Sequence, residues 1–385
     1  MLIVNAKIIN FNKVDERDAI YIKDGIIEDL GNSSEFLKYY NKEEVLDAEG
    51  KTVFSGLVNA HLHGYGILGS YFLDKNFNWN DVFNKLKEMQ FQKEDTELVY
   101  YSAIMAGIFA IRSGVTTVFD ICHGNSLTSE MISEAYNVLG LRGVVYQFLD
   151  KNDFNFLKKY RSKKSGNLLL GIAISSKEDY LPIIKKLNAN DRILIHEDQI
   201  AGEEENLLNQ LTERNLLSES TMFVHGTYSK TSLGIMAEKN INLVSCPLVD
   251  ELLDTSDSLI DKGINLCMGS GMLNVDMFIA AKEAFKHSTL SIKEIDNIIE
   301  NNNNELVCRV LNERVGKIEK GYRADLFISK SSPIIDKTAY SFVYRSNFWV
   351  EDVIINGKLV LKNREILGVK EEEVYESIKE YLSRS

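Results

Sequence analysis

The sequence predicts a (β/α)₈ barrel that carries a small β-domain assembled from both chain ends. Two observations lead to this fold class. In the middle of the chain, eight short apolar runs are mostly followed by helix-like segments, and repeated βα units imply a parallel sheet that eight strands can close. At the two ends, strand-like runs flank Asp24-Gly25 and Asn356-Gly357, which are hairpin-turn signals. The predicted boundaries are 1–54 with 322–368 for the β-domain, 55–321 for the barrel and 369–385 for a C-terminal helix.

The individual elements are predicted from apolar periodicity. Outside the barrel we expect strands at Leu2–Ile9, Ala19–Lys23, Ile26–Leu30, Ala324–Ser329, Val350–Asn356 and Lys358–Leu361, and a helix at Lys370–Leu382. The barrel strands are expected at Thr52–Asn59, Val115–Ile121, Leu141–Phe148, Leu168–Ala173, Arg192–His196, Met222–His225, Ile241–Cys246 and Ile264–Met268. The predicted barrel helices are Glu94–Arg112, Ser129–Leu139, Lys177–Leu187, Glu203–Leu216 and Val275–His287. The polar tract Asn301–Asn304 is expected to be a loop.

Composition excludes several classes of protein. The chain of 385 residues has 44 Lys+Arg against 56 Asp+Glu, a net charge of −12, which argues against nucleic-acid binding. No apolar run approaches the roughly 20 residues that cross a bilayer, and the first residues do not resemble a secretory signal, so neither membrane insertion nor export is expected. The four cysteines are scattered without a C-x-x-C pair, which indicates free thiols in a cytoplasmic protein.

Histidines at strand ends are the residues that indicate chemistry. His61 and His63 form H-x-H at the end of the first barrel strand, where residues two apart point to one side. His196 ends the fifth predicted strand and His225 the sixth, and barrel enzymes place their active sites at these strand ends. Convergent imidazoles suit Zn²⁺ or Fe²⁺. The pattern therefore favours the binding of a metal or a polar ligand over four unrelated polar residues that face solvent at strand ends.

Two further histidines are less informative. His123 follows the second strand, and its position fits either the same barrel mouth or a surface loop. His287 lies on a predicted helix and is expected to be structural or at the surface.

Several motifs resemble the amidohydrolase superfamily, in its cytosine-deaminase and chlorohydrolase-like branch. The similarity runs along nearly the whole chain and rests on Gly56–His63 (GLVNAHLH), Gly114–Val118 (GVTTV), Cys246-Pro247, Asp276–Phe278 (DMF), and Val315–Gly321 (VGKIEKG) followed by Ala324–Leu326 (ADL). The resemblance implies a barrel with a composite β-domain and a metal-dependent hydrolase that deaminates or dechlorinates small nitrogen heterocycles. It is also compatible with a homodimer formed through barrel helices.

Carried over residue by residue, the resemblance implies that His61, His63 and His196 are metal ligands. His225 would be a fourth ligand or would orient the attacking water and the developing oxyanion. The fourth-strand segment Asn167–Ile174 contains no lysine of the kind that bridges two metals in other members, so at most one metal is expected.

The sequence departs from the family pattern at two carboxylates. Gln199 stands where the family has a proton-shuttling glutamate, and Gly271 stands where the eighth strand normally ends in a metal-binding aspartate. A glutamine holds a ligand but exchanges no proton near neutral pH. The seventh-strand motif also ends differently, in Val249-Asp250.

Three explanations stay open for these departures. Asp250 could substitute for the missing carboxylate, although the sequence favours an N-cap of a helix that begins at Glu251. Glu197 should point away from the ligand beside it, and Asp198 faces the mouth only if the strand continues past His196. Alternatively the histidines and metal suffice for hydrolysis, or the chain is a catalytically silent protein that binds a metal or small molecule in the barrel.

The substrate itself is not determined by the sequence. In the segment after the H-x-H motif, Tyr65, Tyr71 and Phe72 could stack on a heterocycle or anchor the loop in the core.

Overall fold

The structure is a computed structural model. It describes residues 1–10, 13–68, 96–123, 126–149, 157, 160–161, 166–175, 180–196, 204–225, 228–248, 263–272, 274–330, 341–346 and 349–384.

The N-terminal part of the chain forms short strands. They are β1 (Leu2–Val4), β2 (Lys7–Asn10), β3 (Lys13–Val14), β4 (Ala19–Lys23), β5 (Ile26–Gly31), β6 (Val45–Asp47) and β7 (Thr52–Ser55), with helix α1 (Ser33–Tyr39) between β5 and β6. The single strand expected at Leu2–Ile9 is divided because Asn5 adopts a left-handed conformation with φ 53°. The Asp24-Gly25 turn is confirmed, since both residues have positive φ, as a tight type I′ hairpin requires.

The centre of the chain forms the predicted barrel. Its strands are β8 (Leu57–Leu62), β9 (Val115–Cys122), β10 (Arg142–Phe148), β11 (Leu168–Ile174), β12 (Ile193–His196), β13 (Met222–Val224), β14 (Asn242–Ser245) and β15 (Asn265–Met268). They pair in parallel in this order. The first strand was expected at Thr52–Asn59, but this segment divides at Gly56 between β7 of the chain-end sheet and β8 of the barrel. Both faces of a parallel barrel sheet are covered, which explains the nearly continuous apolar runs.

The barrel closes between β15 and β8 just beyond the end of β15. The backbone N–H groups of Ser270 and Gly271 donate to the carbonyl of His61, both at 3.0 Å, and Leu62 forms a parallel bridge with Gly271. A side chain at Gly269 would lie 2.6 Å from the His61 backbone nitrogen, so glycine permits this close approach.

Helices follow most of the barrel strands. The described helices of this part are α2 (Thr96–Arg112), α3 (Ser126–Leu139), α4 (Leu181–Ile184), α5 (Glu204–Glu213), α6 (Lys230–Glu238), α7 (Met277–His287), α8 (Ile292–Asn297) and α9 (Asn303–Leu311). Helices α6, α8 and α9 were not predicted from the sequence. In the part of the chain that the structure describes, no helix is long and apolar enough to cross a membrane.

The asparagine tract was wrongly expected to be a loop. It continues α8 through a π-helical turn, Ile298–Asn302, into α9. The Asn303 side chain is fully buried and joins the barrel seam: its Nδ2 donates to the carbonyls of Val58 and Met268, both at 2.9 Å, and its Oδ1 accepts from Met268 N at 2.8 Å. The polar side chain of Asn303 is therefore explained by its hydrogen bonds to the strand backbone and not by exposure to solvent.

The chain then returns to the strands of its N-terminal part. Strands β16 (Leu326–Ser329), β17 (Val350–Ile355), β18 (Lys358–Lys362) and β19 (Glu365–Ile366) join β7, β2 and β3 in one sheet of order β19-β18-β17-β16-β7-β2-β3, and α10 (Glu371–Arg384) ends the described chain. Strands β5, β4, β1 and β6 form a second sheet. A sheet built from both chain ends is thus confirmed.

A buried ion pair links the chain-end sheets to the barrel. Arg142, at the start of β10, donates from Nε to Asp325 Oδ2 at 2.7 Å and from its second guanidinium nitrogen to Oδ1 at 3.2 Å. Asp325 Oδ1 also accepts from Asn356 N at 2.6 Å. Both side chains are almost completely buried.

A second group of buried charges lies where the π-helical turn meets residues 341–345. Asp296 accepts hydrogen bonds from Ser341 Oγ and Phe342 N, both at 2.9 Å. Burial raises the pKa of Glu300 to about 8; the charge of Asp296 adds to the shift and that of Arg345 opposes it.

Candidate metal centre

The H-x-H motif lies at the carboxyl end of the first barrel strand, and both rings are buried. Strand β8 is irregular here: Asn59 pairs with Val118 but Leu62 pairs with Asp120, so between these two pairs β8 has one extra residue. Such a bulge changes the direction of the side chains that follow it. The two Nε2 atoms lie 3.1 Å apart.

His196 and His225 complete the cluster from two other strands. His196 is the last residue of β12, and His225 follows β13 in a left-handed conformation with φ 60°. Ring centroids are 5.5 Å apart for His61 and His196, 5.1 Å for His61 and His225, and 4.9 Å for His196 and His225. One ligand atom from each of the four residues lies within 4.8 Å of the others. The structure therefore brings all four predicted histidines together.

The donor set fits a divalent cation. Burial, followed by the charges of neighbouring histidines, lowers the pKa of His61 and His63 well below the ordinary value, so both rings are neutral. Two ligands bound at 2.0–2.1 Å to a tetrahedral ion are about 3.3 Å apart, close to the 3.1 Å between the Nε2 atoms. His61 Nδ1 is buried without a hydrogen-bond partner among the described residues. Neutral imidazoles that converge in this way are typical ligands of Zn²⁺ and Fe²⁺.

The departures from the family pattern lie at Gln199, Asp250 and Gly271. Gln199 and Asp250, with Glu197 and Asp198, lie outside the described residues. Gly271 lies within the described residues: its φ of 72° is left-handed, and its carbonyl accepts a hydrogen bond from His63 N at 3.4 Å. Within the described part of the chain, the group of possible metal ligands consists of imidazoles alone.

His123 belongs to the barrel interior and not to a surface loop. It is buried, and its ring stacks on Phe148 at the end of the third barrel strand, with centroids 4.1 Å apart and planes 13° apart. Phe148 in turn contacts His196 edge-on at 5.9 Å, and the charge of His123 contributes to the lowered pKa of His63. The pair His123–Phe148 therefore forms an aromatic wall beside the histidine cluster.

The other aromatic and histidine candidates are placed as follows. Tyr65 is buried in the main core cluster with its ring 5.8 Å from His63, so it anchors the loop. Tyr71 and Phe72 lie outside the described residues. His287 is exposed at the end of α7, 3.3 Å from Glu283.

One buried carboxylate near the site was missed in the sequence. Asp120, on β9, accepts from the hydroxyl of Tyr136 at 2.6 Å and from the backbone N–H of Gly64, the residue after His63. Burial raises the pKa of Asp120 to about 7, although these hydrogen bonds oppose the shift. A single acidic residue inside the apolar run Val115–Cys122 was the signal that could have identified it.

The fold and the site together define a class: a (β/α)₈ barrel protein with clustered histidines at the carboxyl ends of its strands, as in metal-dependent barrel hydrolases. The Amidohydrolase family model matches residues 52–360. The chain belongs to the amidohydrolase family. The resemblance inferred from its motifs, to an amidohydrolase of the deaminase type, is thereby confirmed at the level of the family.

Similar proteins align with 95–100% of the chain. The 5-methylthioadenosine/S-adenosylhomocysteine deaminase of Acetivibrio thermocellus is 25% identical over 100% of this chain and 99% of its own length. The 5'-deoxyadenosine deaminase of Methanocaldococcus jannaschii is 26% identical over 95% of this chain and 96% of its own length. Among solved structures, an adenosine deaminase from Xanthomonas campestris with bound zinc superimposes with a TM-score of 0.78 at 17% identity, covering 100% of this chain and 98% of that one.

Proposed function

We propose that this protein is a metal-dependent amidohydrolase that removes the exocyclic amino group from an adenine nucleoside. The observation that carries the proposal is the convergence of His61, His63, His196 and His225 within 4.8 Å. The two relatives described above, which match along their full lengths, are both deaminases of 5'-modified adenosines, and they support this substrate class.

The four histidines would have two different roles at the metal centre. His61, His63 and His196 would hold one zinc or iron ion, which when bound supplies Lewis acidity and acidifies the attacking water. The ring of His225 would donate a hydrogen bond to the oxygen that becomes negative as water adds to the ring carbon. The backbone of His225 is held at both ends, because the Tyr228 hydroxyl donates to its carbonyl and its N–H donates to Val244 O at 3.2 Å.

Proton transfer is the step that the departures from the family pattern affect, because Gln199 and Gly271 stand at two carboxylate positions. Gln199 would hold a ring nitrogen of the substrate through its amide without exchanging a proton. Asp250 is the carboxylate proposed to take the proton of the attacking water and to deliver it to the leaving amine. A missing general acid or base costs about 10²–10⁴ in rate, so turnover would be slow.

A second candidate function follows from Gly271. This glycine occupies the position where the family pattern has a catalytic aspartate, and Gln199 occupies that of a glutamate. A protein without both groups could retain the metal and the pocket for binding alone. The alternative function that we propose is therefore the binding of a metal or a nucleoside without catalysis.

The deciding experiment combines metal analysis with an assay for ammonia. Purified protein would be loaded with Zn²⁺ or Fe²⁺ and tested on adenosine, 5'-deoxyadenosine and 5'-methylthioadenosine, with His61→Ala as the inactive variant and His287→Ala as the matched control. The proposal expects one metal per chain, ammonia release that is lost in His61→Ala, and unchanged behaviour in His287→Ala. Metal binding without ammonia from any substrate would favour the non-catalytic alternative, and absence of metal would reject the site.

Restoring the carboxylates is a sharper test of descent from a deaminase. Gln199→Glu combined with Gly271→Asp should create or raise deaminase activity by several orders of magnitude. Position 271 is left-handed, a conformation that aspartate tolerates better than most residues. A double variant that folds, binds metal and stays inert would contradict the proposal.

We also propose that the protein is cytoplasmic. Cys122, Cys246 and Cys267 are buried free thiols, as expected in a reducing compartment. Homodimer formation stays a prediction, for which gel filtration with light scattering is the measurement.

A further inference from the structure

A buried carboxylate outside the histidine cluster contacts the backbone that carries one of its members. Asp120 is completely buried on β9, and both of its oxygens accept from the N–H of Gly64, at 3.1 and 3.2 Å. The hydroxyl of Tyr136, from α3, donates to Oδ2 at 2.6 Å. The same buried side chain therefore joins the residue after the H-x-H motif to helix α3.

The contact holds the peptide group that follows His63. The N–H of this peptide belongs to Gly64 and donates to Asp120, while its carbonyl, that of His63, accepts from Gly66 N at 2.9 Å. Both ends of the peptide plane are therefore fixed. The Cα atom of His63 lies in this plane and carries the ring through Cβ, so the direction of the Cα–Cβ bond depends on the same contacts.

Glycine at position 64 makes the arrangement sterically feasible. A β-carbon there would lie 2.6 Å from Asp120 Oδ2 and closer still to the Tyr136 hydroxyl oxygen. Real β-carbons do not approach other atoms so closely, so any other residue would push the peptide away from the carboxylate. The close packing shows that Asp120 and Tyr136 are fitted to the turn after the H-x-H motif.

We infer that Asp120, held by Tyr136, is a positioning residue that orients His63 toward the metal ion. The inference rests on the proposed function, because it requires that His63 bind a metal. Groups that orient a metal ligand typically contribute about 10- to 100-fold to metal affinity.

The test measures metal binding in the variants Tyr136→Phe and Asp120→Ala. Affinity for Zn²⁺ would be determined by competition with a chromophoric chelator, and ligand geometry by the absorption spectrum of the Co²⁺-substituted protein. Both variants should bind Zn²⁺ about 10- to 100-fold more weakly than wild type and show altered Co²⁺ bands. Asp120→Asn, which retains an acceptor for Gly64 N–H, should recover part of the affinity.

Ser133→Ala is the matched control. Ser133 lies on the same helix as Tyr136, and its buried hydroxyl bonds Ser129 O at 2.7 Å, within the helix. This variant also loses a buried hydroxyl but should keep wild-type affinity and spectrum. If Asp120→Ala fails to fold, Tyr136→Phe, which retains the aromatic ring, decides the question.

The outcomes separate this inference from the proposed function. Wild-type affinity and an unchanged Co²⁺ spectrum in Tyr136→Phe and Asp120→Ala, with only the melting temperature of the metal-free protein lowered, would show a structural role and overturn the inference alone. Failure of the wild-type protein to bind Zn²⁺ or Co²⁺ would reject the proposed metal centre, and the inference with it.

Discussion

Replacing Asn303 by alanine should destabilise the barrel where its first and eighth strands meet. The Asn303 side chain makes three hydrogen bonds at this seam: it donates to Val58 O and Met268 O and accepts from Met268 N, with lengths of 2.8–2.9 Å. The first strand continues into the H-x-H motif, and the eighth ends at Gly269. The substitution therefore removes direct connections between the two strands that close the site.

The magnitude follows from the number of bonds and their burial. A buried hydrogen bond contributes about 0.5–1.5 kcal/mol, and a buried group left without a partner costs about 1–3 kcal/mol. Three strand backbone groups lose their partner, so the free energy of unfolding should fall by about 3–5 kcal/mol. This is a large part of the 5–15 kcal/mol, approximately, that stabilises an ordinary domain.

Asn301→Ala, in the same tract, is the matched control. Asn301 is half-buried, and its Nδ2 donates to Asn297 Oδ1 at 2.6 Å in a solvent-exposed hydrogen bond within the helix. Its replacement should change stability by less than about 0.5 kcal/mol, because exposed positions contribute little. Urea unfolding followed by circular dichroism measures both variants. Equal stability of Asn303→Ala and Asn301→Ala would refute the role assigned to the seam.

Three other predictions concern stability. As pH rises from 4.5 to 8, the free energy of unfolding of the wild type should fall by up to about 5 kcal/mol relative to Glu300→Gln, because the buried carboxyl has a pKa of about 8 against an ordinary value of 4.5. Urea titrations at several pH values measure this difference. Parallel dependence on pH in the two proteins would contradict the prediction. Arg142→Ala should lower the free energy of unfolding by about 3–5 kcal/mol, because it leaves the charge of Asp325 buried without its cationic partner. A loss under about 1 kcal/mol would argue against the importance of this ion pair. Zn²⁺ at 100 times its dissociation constant should stabilise wild type by about 2.7 kcal/mol but leave His63→Ala unchanged, as thermal unfolding would show.

Much of the fold could be predicted because its signals are local. Apolar runs, turn residues and periodicity located all eight barrel strands to within a few residues, apart from the first, which Gly56 divides between two sheets. The helix at Asn303 was missed since a run of asparagines is typical of loops. Its helical state depends on bonds to strands that are distant in the chain, which no local pattern reveals.

The metal ligands of the site could be predicted from the sequence, but the residues that position these ligands could not. The four histidines stand at strand ends, a position that can be read from the sequence. The roles of Gln199 and Asp250 stay predictions. Asp120 was overlooked because its partners, Gly64 and Tyr136, come from a loop and a helix, and only packing shows that they meet.

The amino-acid sequence by itself determined the barrel, the joining of the two chain ends in one sheet and the identity of the four imidazoles, because strand periodicity and residue chemistry are properties of short segments. Only the tertiary structure decided which way these rings point. That direction depends on the bulge in the first strand, the backbone of His225 and the closure against Gly271. Each of these arises from pairing between segments far apart in the chain, and such pairing forms cooperatively when the whole barrel closes.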